Sequence, residues 1–570
     1  MTRRVRFMGV SGVVLLLALG THAPRVAAQA ATTQAPAGAA DSIQPGELET
    51  YLTRIASDDF EGRATFSEGL GLAAGYISAH LREWGVKPAG DHGTYYQEVP
   101  VLGVQSTSHS SVTVTVNGQS RTFADGEGVV FPKNVGGKQV LTGDDIVFAG
   151  YGFYAPPIPY NDYEGLDASG KVAVWIGNEG PKGTDPQTYR RLLAGRNRYA
   201  LDDRKAIAVI GQAAPPSENA PGQPGRNTNA NPNQPAPDFT TVQRLDQPSA
   251  PSLTATDPFF EFLFSASGTP WSELKAKAAE GAPLPHFSLK GVSIRFNVDA
   301  EYKVVRTQYT RNIVGIIEGT DPLLRDTYVA FGAHYDHVGY AEGEVEVGRR
   351  GLPGRVVDAN DRIWNGADDD GSGTVTVMAI AHAFATGPKP RRSLLFVWHA
   401  GEERGLLGSR YYADHPTVPI DAIVAQLNID MVGRNSENDP AQSNTVLLVG
   451  SDRISTELHN ISEDANQSLA TPMTLDYAMN DPADLEQVYY RSDHYSYAAK
   501  GIPIVFYTTG LHPDYHANSD EVDKIEFGKM AKIARLIYTT GFQVANLDHA
   551  PARDLKGPRA GKGTSGKLPR

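Results

Sequence analysis

The stretch Asn365–Gly373, which reads NGADDDGSG, places the neighbouring acids Asp368, Asp369 and Asp370 between glycines and small residues. Carboxylates this close repel one another and resist ionisation unless a positive charge lies beside them. The glycines allow the backbone to turn sharply next to the acids. The stretch therefore predicts a tight turn whose acids are neutralised by cations.

The chain around this stretch alternates between buried-strand and helical patterns from Arg311 onward. A helix is predicted over about 374–385, another over about 524–544, and further helices within 44–86. The strand-like runs are RNIVGIIEG, TYVAFGAH, SLLFVWHA, AIVAQLNID, TVLLVG and IPIVFYTTG. This rhythm predicts an α/β fold, with a mostly parallel sheet flanked by helices. Ligands of such sheets bind at the carboxyl ends of the strands.

Residues of metal-ligand type follow these strands. In chain order they are His334, the acids 368–370, Glu402 with Glu403, Asp430, and His516. The chain has no cysteine, so metal ligands must be histidines and carboxylates. This set suits Zn²⁺ best, and Mn²⁺ or Co²⁺ are possible. There are more carboxylates than one ion needs, which favours two metals that share a carboxylate.

Five motifs in order resemble the co-catalytic two-zinc exopeptidases, the secreted aminopeptidases of the S and Y type. They are GAHYDHVG, NGADDDGSG, AGEERGLLGS, NIDMVGR and DYHANSDEVD. Each motif is weak alone, but the ordered set is specific. The resemblance covers about residues 44–95 and 311–544, and it implies the zinc-exopeptidase fold with two zinc ions per chain.

The resemblance also implies metal ligands. His334 and Asp430 would hold one zinc, Glu403 and His516 would hold the other, and Asp369 would bridge the two.

It implies further roles around the metals. Glu402 would be the general base, and Asp336 would orient His334 by accepting its second ring N–H. Tyr515 is a candidate to stabilise the tetrahedral intermediate. Asp368 and Asp370 are expected to bond the loop rather than the metal. Because the resemblance gives them no metal role, His337, His399 and His512 are interpreted as structural.

Residues near the final strands suggest substrate contacts. Arg491 and Arg434 are candidates to bind a substrate carboxylate, although a structural ion pair is an equal expectation for Arg491. Asp493 and His494 are expected to form a supporting or packing pair near the pocket.

The first residues predict export. Arg3, Arg4 and Arg6 precede the apolar stretch Met8–Leu19, and Ala28-Gln29-Ala30 matches a cleavage site, so residues 1–30 read as a signal peptide. The stretch is too short to span a bilayer, so no stable membrane span is expected after cleavage. The predicted location is the periplasm or the extracellular medium.

Composition changes divide the rest of the chain. Residues 31–43 read as a linker, and 44–105 with 305–545 as a zinc peptidase domain. The strand-rich segment 110–300 contains YNDYEGLDASGKVAVW, which resembles the protease-associated domain that many such peptidases carry as an insertion. Within it, 215–251 is rich in Pro, Asn, Gln and Gly and predicts a mobile or disordered loop. Residues 549–570 predict a basic tail.

The favoured function is an exported aminopeptidase that acts on peptides or proteins with a free N-terminus. The net charge of −13 argues against a nucleic-acid partner. Alternatives on the same scaffold are a carboxypeptidase or dipeptidase, which would need Arg434 or Arg491 for the α-carboxylate, and also a glutaminyl cyclase or a non-catalytic scaffold. A serine hydrolase is disfavoured because no G-x-S-x-G stretch occurs.

Overall fold

The computed structural model describes residues 38–214, 236–349, 353–482 and 484–556. The predicted signal peptide, linker residues 31–37, loop residues 215–235 and tail residues 557–570 lie outside the described residues. Within the described ranges, none of the helices combines the length and the apolar character needed to cross a membrane.

The helices and strands are numbered in chain order. The helices are α1 (Pro45–Ile55), α2 (Glu68–Glu83), α3 (Arg190–Ala194), α4 (Arg196–Arg198), α5 (Asp257–Leu263), α6 (Trp271–Ala279), α7 (Gly373–Thr386), α8 (Leu407–Asp414), α9 (Thr456–Ser468), α10 (His494–Ala498) and α11 (Phe527–Ala545). The strands are β1 (Lys87–Pro88), β2 (Tyr96–Ser108), β3 (Ser111–Val116), β4 (Gln119–Ala124), β5 (Val129–Val130), β6 (Gln139–Gly143), β7 (Ile146–Ala149), β8 (Tyr154–Ala155), β9 (Tyr160–Asn161), β10 (Val172–Trp175), β11 (Ala208–Gln212), β12 (Phe239–Thr241), β13 (Ser252–Ala255), β14 (His286–Leu289), β15 (Val292–Val298), β16 (Ala300–Ile317), β17 (Tyr328–His334), β18 (Gly339–Tyr340), β19 (Ile363–Trp364), β20 (Ser393–His399), β21 (Ile423–Ile429), β22 (Thr445–Val449), β23 (Thr474–Asp476) and β24 (Ile504–Thr508).

A large sheet carries the site. Its strand order is β12-β2-β16-β20-β17-β21-β24-β22-β23, with β1 paired to β16. The strands β20, β17, β21 and β24 run parallel, whereas β2 and β16 pair antiparallel with their neighbours. Strand β22 is antiparallel to β24 and parallel to β23. The predicted α/β class is confirmed, but parallel pairing is concentrated at the centre. The antiparallel side arises because β2 leads the chain out of the sheet and β16 brings it back.

Helices cover both faces of this sheet. Residues of α1, α2, α7, α9 and α11 pack in one apolar cluster with one face, and residues of α8 and α10 pack against the other. Every residue of β20 and β21 is buried. Burial on both sides explains why these strands read as continuous apolar runs instead of alternating patterns.

Local sequence sets the ends of the helices that frame the site. The hydroxyl of Ser67 accepts a hydrogen bond from the Leu70 N–H at the start of α2, and Pro45 opens α1. Both are favoured arrangements, because they satisfy or remove amide donors that have no partner within the helix.

The segment between β2 and β16 forms its own sheets. One has the order β14-β7-β10-β11-β13-β5, and the other has the order β4-β3-β15-β6. Phe148, Phe260 and Ile294 lie in an apolar cluster of this segment. Strand β12 of the same segment belongs to the large sheet, where it pairs antiparallel with β2. Residues 239–241 are therefore a strand within the stretch 215–251 that the composition predicts to be a loop.

Candidate active site

Neighbouring strand ends bring the predicted ligands together. Strand β17 ends at His334, and Asp430 directly follows β21. Glu402 and Glu403 follow β20 through Gly401, whose φ of 76° suits glycine. Since these three strands are parallel neighbours, their carboxyl ends lie on one edge of the sheet. The acidic turn before α7 reaches the same edge.

Asp369 lies between two groups of side chains. Its Oδ1 is 3.4 Å from His334 Nε2, and its Oδ2 is 3.0 Å from His516 Nε2. On the first side, His334 Nε2 is also 3.6 Å from Asp430 Oδ2. On the second side, His516 Nε2 is 3.0 Å from Glu403 Oε2. The five residues of the expected ligand set therefore meet, with Asp369 in the middle.

A further histidine enters the second group. His337 Nδ1 lies 3.0 Å from Glu403 Oε1 and 3.8 Å from Asp369 Oδ2. His337 is buried, and its ring packs edge-on to that of His516. The interpretation of His337 as merely structural does not account for this orientation toward two carboxylates.

Several buried atoms of the cluster form no well-aligned hydrogen bond among the described residues, although some lie close to a charged neighbour. They are Asp369 Oδ2, Glu403 Oε1 and both ring nitrogens of His337. Buried polar atoms without partners are rare and call for an explanation such as an ion. A set of imidazole nitrogens and carboxylate oxygens is the donor chemistry that divalent zinc prefers. The residues present therefore fit a divalent metal.

Electrostatics shows how strongly these groups interact. Burial opposes charge on His334, yet Asp430, Asp336 and Asp369 raise its pKa well above the ordinary value. Burial likewise opposes ionisation of Asp369, but His334 and His516 hold its pKa well below the usual range. Burial and Asp369 act to raise the pKa of Glu403, whereas His516 and His337 lower it to about 2. The cluster therefore favours ionised carboxylates.

The other two acids of the turn support loops. Asp368 accepts hydrogen bonds from the Gly433 N–H at 2.6 Å and from His512 Nε2 at 3.1 Å. Asp370 accepts from the backbone N–H groups of His334, Gly373 and Met431 at 3.2, 2.8 and 3.1 Å. Both carboxylates are engaged with the chain, as the sequence predicts.

The predicted role of Asp336 is wrong in detail. His334 Nδ1 lies 3.0 Å from the backbone carbonyl oxygen of Asp336, whereas the nearest carboxylate oxygen of Asp336 is 3.7 Å away. The latter distance is too long for a hydrogen bond. The carboxylate instead accepts from the Glu402 N–H at 3.1 Å and from Thr65 Oγ1 at 2.9 Å. Asp336 thus orients His334 through its main chain and Glu402 through its side chain.

Arg63 connects the loops that carry the candidate ligands, and no sequence pattern indicates this role. The side chain is 1% exposed, and its guanidinium donates to the carbonyl oxygens of Ile55, Tyr335, Asn365 and Gly366 at 2.7–3.0 Å. Tyr335 adjoins His334, and Asn365 and Gly366 precede the three acids 368–370. Arg63 therefore fixes the main chain that presents the ligands.

A pocket opens beside the cluster. Its apolar lining comes from Met431, Met479, Val488, Phe506 and Leu511. Its polar lining includes His334, Asp369, Glu402, Asp430, Arg491, Ser492 and Tyr515. Ser492, which the sequence analysis missed, donates to Asp430 Oδ2 at 2.6 Å. Glu402 Oε2 lies 4.0 Å from His334 Nε2 at the same wall.

The two arginines proposed to contact substrate are both paired. Arg491 lines the pocket, but it donates to Glu486 at 2.7 Å and to Tyr515 Oη at 3.1 Å. Arg434 is buried and donates to Asp514 at 3.0 Å, and it is not part of the pocket lining. Arg434 therefore forms an ion pair with Asp514 outside the pocket lining, which favours a structural role over a substrate contact.

The expected pair of Asp493 and His494 does not form. Asp493 Oδ2 is 3.5 Å from His399 Nδ1, and burial raises the pKa of Asp493 to about 7. The ring of His494 instead stacks on Phe506, and its Nε2 contacts the Tyr489 carbonyl oxygen at 2.7 Å. Asp493 therefore lies beside His399, while the ring of His494 packs against Phe506, a residue of the pocket lining.

The strand-rich insertion contacts the loop that carries this wall. Tyr490 Oη donates to Asp203 at 2.7 Å, and the guanidinium of Arg198 lies 3.6 Å from the Tyr490 ring centroid. Arg191 Nε is 3.4 Å from Glu486, the partner of Arg491. The insertion therefore packs directly on residues that adjoin the pocket.

Comparison with known proteins supports the resemblance drawn from the motifs. Residues 312–541 match the sequence model of Peptidase family M28. This match agrees with the resemblance to a peptidase family and covers the part of the chain that supplies His334, Asp369, Glu403, Asp430 and His516.

Curated relatives match over part of their length. A probable leucine aminopeptidase of Arthroderma benhamiae is 30% identical over 190 residues, which cover 32% of this chain and 48% of the relative. Leucine aminopeptidase 1 of Trichophyton equinum is 24% identical over 289 residues, covering 49% of this chain and 67% of the relative. The chain thus spans about half the length of the first of these relatives.

Solved aminopeptidase structures resemble this chain at low sequence identity. An aminopeptidase from Aneurinibacillus sp. strain AM-1 is 18% identical, with 92% of this chain and 99% of that chain covered and a TM-score of 0.43. BSAP, a zinc aminopeptidase from Bacillus subtilis, is 16% identical, with 90% and 98% covered and a TM-score of 0.41.

Proposed function

We propose that this chain is a zinc-dependent aminopeptidase that removes an apolar residue from the N-terminus of peptides or proteins. The observation that carries the proposal is the position of Asp369 between two His–carboxylate groups, beside Glu402 and an apolar pocket. The printed names of the curated relatives, leucine aminopeptidases, agree with this substrate class.

Two zinc ions would be held by the cluster. His334 and Asp430 would bind one ion, Glu403 and His516 the other, and Asp369 both. When bound, zinc lowers the pKa of water toward neutrality and polarises a carbonyl group.

Glu402 serves as the general base and then as the proton donor to the leaving amine. Burial, together with Glu403, Asp430 and Asp493, raises the pKa of Glu402 well above its ordinary value. A carboxylate with a raised pKa accepts a proton readily and returns it near neutral pH. The Glu402 backbone is fixed by Asp336, which keeps the carboxylate at the wall of the pocket.

Tyr515 stabilises the negative charge that develops on the scissile carbonyl oxygen. Burial and the nearby Asp369 keep its pKa well above the ordinary value, so the hydroxyl retains its proton. Arg491 donates to the hydroxyl oxygen and leaves the hydroxyl hydrogen available for the substrate. A donor fixed before the reaction is worth more than one that must reorient.

The charge around the pocket favours the N-terminal end of a substrate. Glu402 and Asp430 provide negative charge for a free α-ammonium group, and the apolar lining suits a leucine-like side chain. A carboxypeptidase would need a cation for the α-carboxylate. Arg491, the arginine of the pocket lining, already pairs with Glu486.

The proposed function also includes export of the chain and a role for the insertion at the pocket. The residues of the predicted signal peptide support release to the periplasm or the medium. The segment 110–300 acts as a protease-associated domain, which narrows access to the pocket through its contacts with Tyr490 and Glu486.

Peptides that differ only at their ends test the proposal. The mature chain with zinc is incubated with a leucine-initiated peptide that is free at both ends, N-acetylated or C-amidated, and mass spectrometry shows which end shortens. We expect loss from the N-terminus that acetylation blocks and amidation does not. Loss from the C-terminus that amidation blocks would assign a carboxypeptidase instead, and no shortening in the presence of bound zinc would favour a cyclase or a scaffold.

A further inference from the structure

His337 has an unexplained position beside the second group of ligands. Its side chain is fully enclosed, and neither ring nitrogen has a hydrogen-bond partner among the described residues. A buried imidazole whose two nitrogens form no well-aligned hydrogen bond is costly. Its Nδ1 nevertheless points at two carboxylates, Glu403 and Asp369, at 3.0 and 3.8 Å.

The distances around this point suit a single cation. His516 Nε2 is 3.0 Å from both Asp369 Oδ2 and Glu403 Oε2, and His337 Nδ1 approaches the same two carboxylates. Ligands bound at about 2.0–2.2 Å in a tetrahedron are about 3.3–3.6 Å from one another. The observed separations lie on both sides of that range, so small adjustments would bring all the donors to one ion.

We propose that His337 is a fourth protein ligand of the zinc ion held by Asp369, Glu403 and His516. This inference rests on the metal dependence of the proposed function and adds a ligand to it. The second site is then closed by four protein ligands, as structural zinc sites are.

The other zinc site, at His334, has fewer protein ligands and keeps an open coordination position. His334, Asp369 and Asp430 supply three ligands there. Asp370 is near, but its oxygens already accept three backbone hydrogen bonds, which leaves it tied to the loop. Three protein ligands leave a position for water or substrate. The two sites therefore differ in role: the closed site binds zinc first and more tightly, and the open site adjoins Glu402.

X-ray absorption of the wild-type chain tests this assignment without a mutation. The full mature chain is stripped of metal and given one equivalent of zinc, and the number of imidazole ligands is read from the outer-shell scattering. We expect two imidazoles, from His337 and His516. A single imidazole would overturn the inference while leaving the metal dependence intact. Failure to bind zinc at all would overturn both the inference and the proposed function.

A matched pair of variants gives an independent readout. His337→Ala removes the proposed ligand, and His512→Ala removes another buried histidine, whose Nε2 bonds Asp368. For His337→Ala we expect the tighter zinc dissociation constant to rise by more than about 100-fold, because loss of an outer partner of a ligand already costs about 10–100-fold. The His512 variant should retain the wild-type constant. An unchanged constant in His337→Ala, or equal losses in both variants, contradicts the assignment.

Discussion

Asp369 Oδ2 lies 3.0 Å from His516 Nε2, although the two residues are far apart in the chain. The other oxygen of the same carboxylate faces His334 at 3.4 Å. One side chain thus presents its two oxygens to two histidines, one at the end of β17 and one in the loop after β24. This relationship explains how three consecutive acids are tolerated: one faces a cation site, while the other two bond the surrounding loops.

Replacing Glu402 with glutamine separates catalysis from metal binding. Glutamine keeps the size of the side chain but cannot accept the proton, so we expect kcat to fall by about 10²–10⁴-fold. The zinc content, measured by elemental analysis on the same sample, should stay at the wild-type value. Loss of zinc in Glu402→Gln would instead make Glu402 a ligand.

Removing Arg63 should destabilise the whole site region. Arg63→Met leaves the carbonyl oxygens of Ile55, Tyr335 and Asn365 without their guanidinium donor. Each such loss costs about 1–3 kcal/mol, so we expect unfolding free energy to drop by at least about 3 kcal/mol in denaturant titrations. Arg121→Met, at an exposed position of β4, is the matched control and should change stability little. Equal midpoints for the two variants would exclude this role for Arg63.

The apolar pocket should determine which N-terminal residue is removed. Met479→Glu places a carboxylate in the lining, which disfavours leucine and favours a basic side chain. We expect kcat/KM for a leucyl substrate to fall by at least about tenfold relative to a lysyl substrate, consistent with the 1–3 kcal/mol that pocket contacts contribute. An unchanged ratio of the two constants would place the side-chain pocket elsewhere.

Zinc binding should release protons near neutral pH. Burial alone lowers the pKa of His516, but Glu403 and Asp369 raise it to about 11, so the metal-free chain carries a proton on this ring. A zinc ligand must be neutral imidazole, so the proton has to leave and zinc affinity should decrease as the pH is lowered. Calorimetric titrations in buffers with different ionisation enthalpies measure the release. A binding enthalpy that does not depend on the buffer would contradict it.

The sequence predicts that the candidate ligands lie together, because parallel strands place their carboxyl ends on one edge of the sheet. His334, Glu403 and Asp430 each follow a strand of that kind, so their meeting follows from topology. The antiparallel side of the sheet was not predictable in the same way, because it depends on how β2 and β16 pair around the insertion.

The supporting contacts are long-range or depend on the exact position of a side chain. Arg63 donates to the Asn365 carbonyl across 302 positions, a contact that no local pattern indicates. Asp336 was assigned the right neighbour but the wrong atom, since its main-chain carbonyl is closer to His334 than its carboxylate. Arg434 has the charge expected for a substrate contact, but Asp514 pairs with it outside the pocket.

The measurement that tests the central claim most directly is zinc titration of metal-free wild type, Asp369→Ala and Asp430→Ala. If Asp369 is shared by two ions, Asp369→Ala will weaken both zinc dissociation constants, whereas Asp430→Ala will weaken one and leave the other at the wild-type value. An Asp369→Ala chain that retains one wild-type constant would show that the carboxylate serves a single ion, and the claim that two ions share Asp369 would be contradicted.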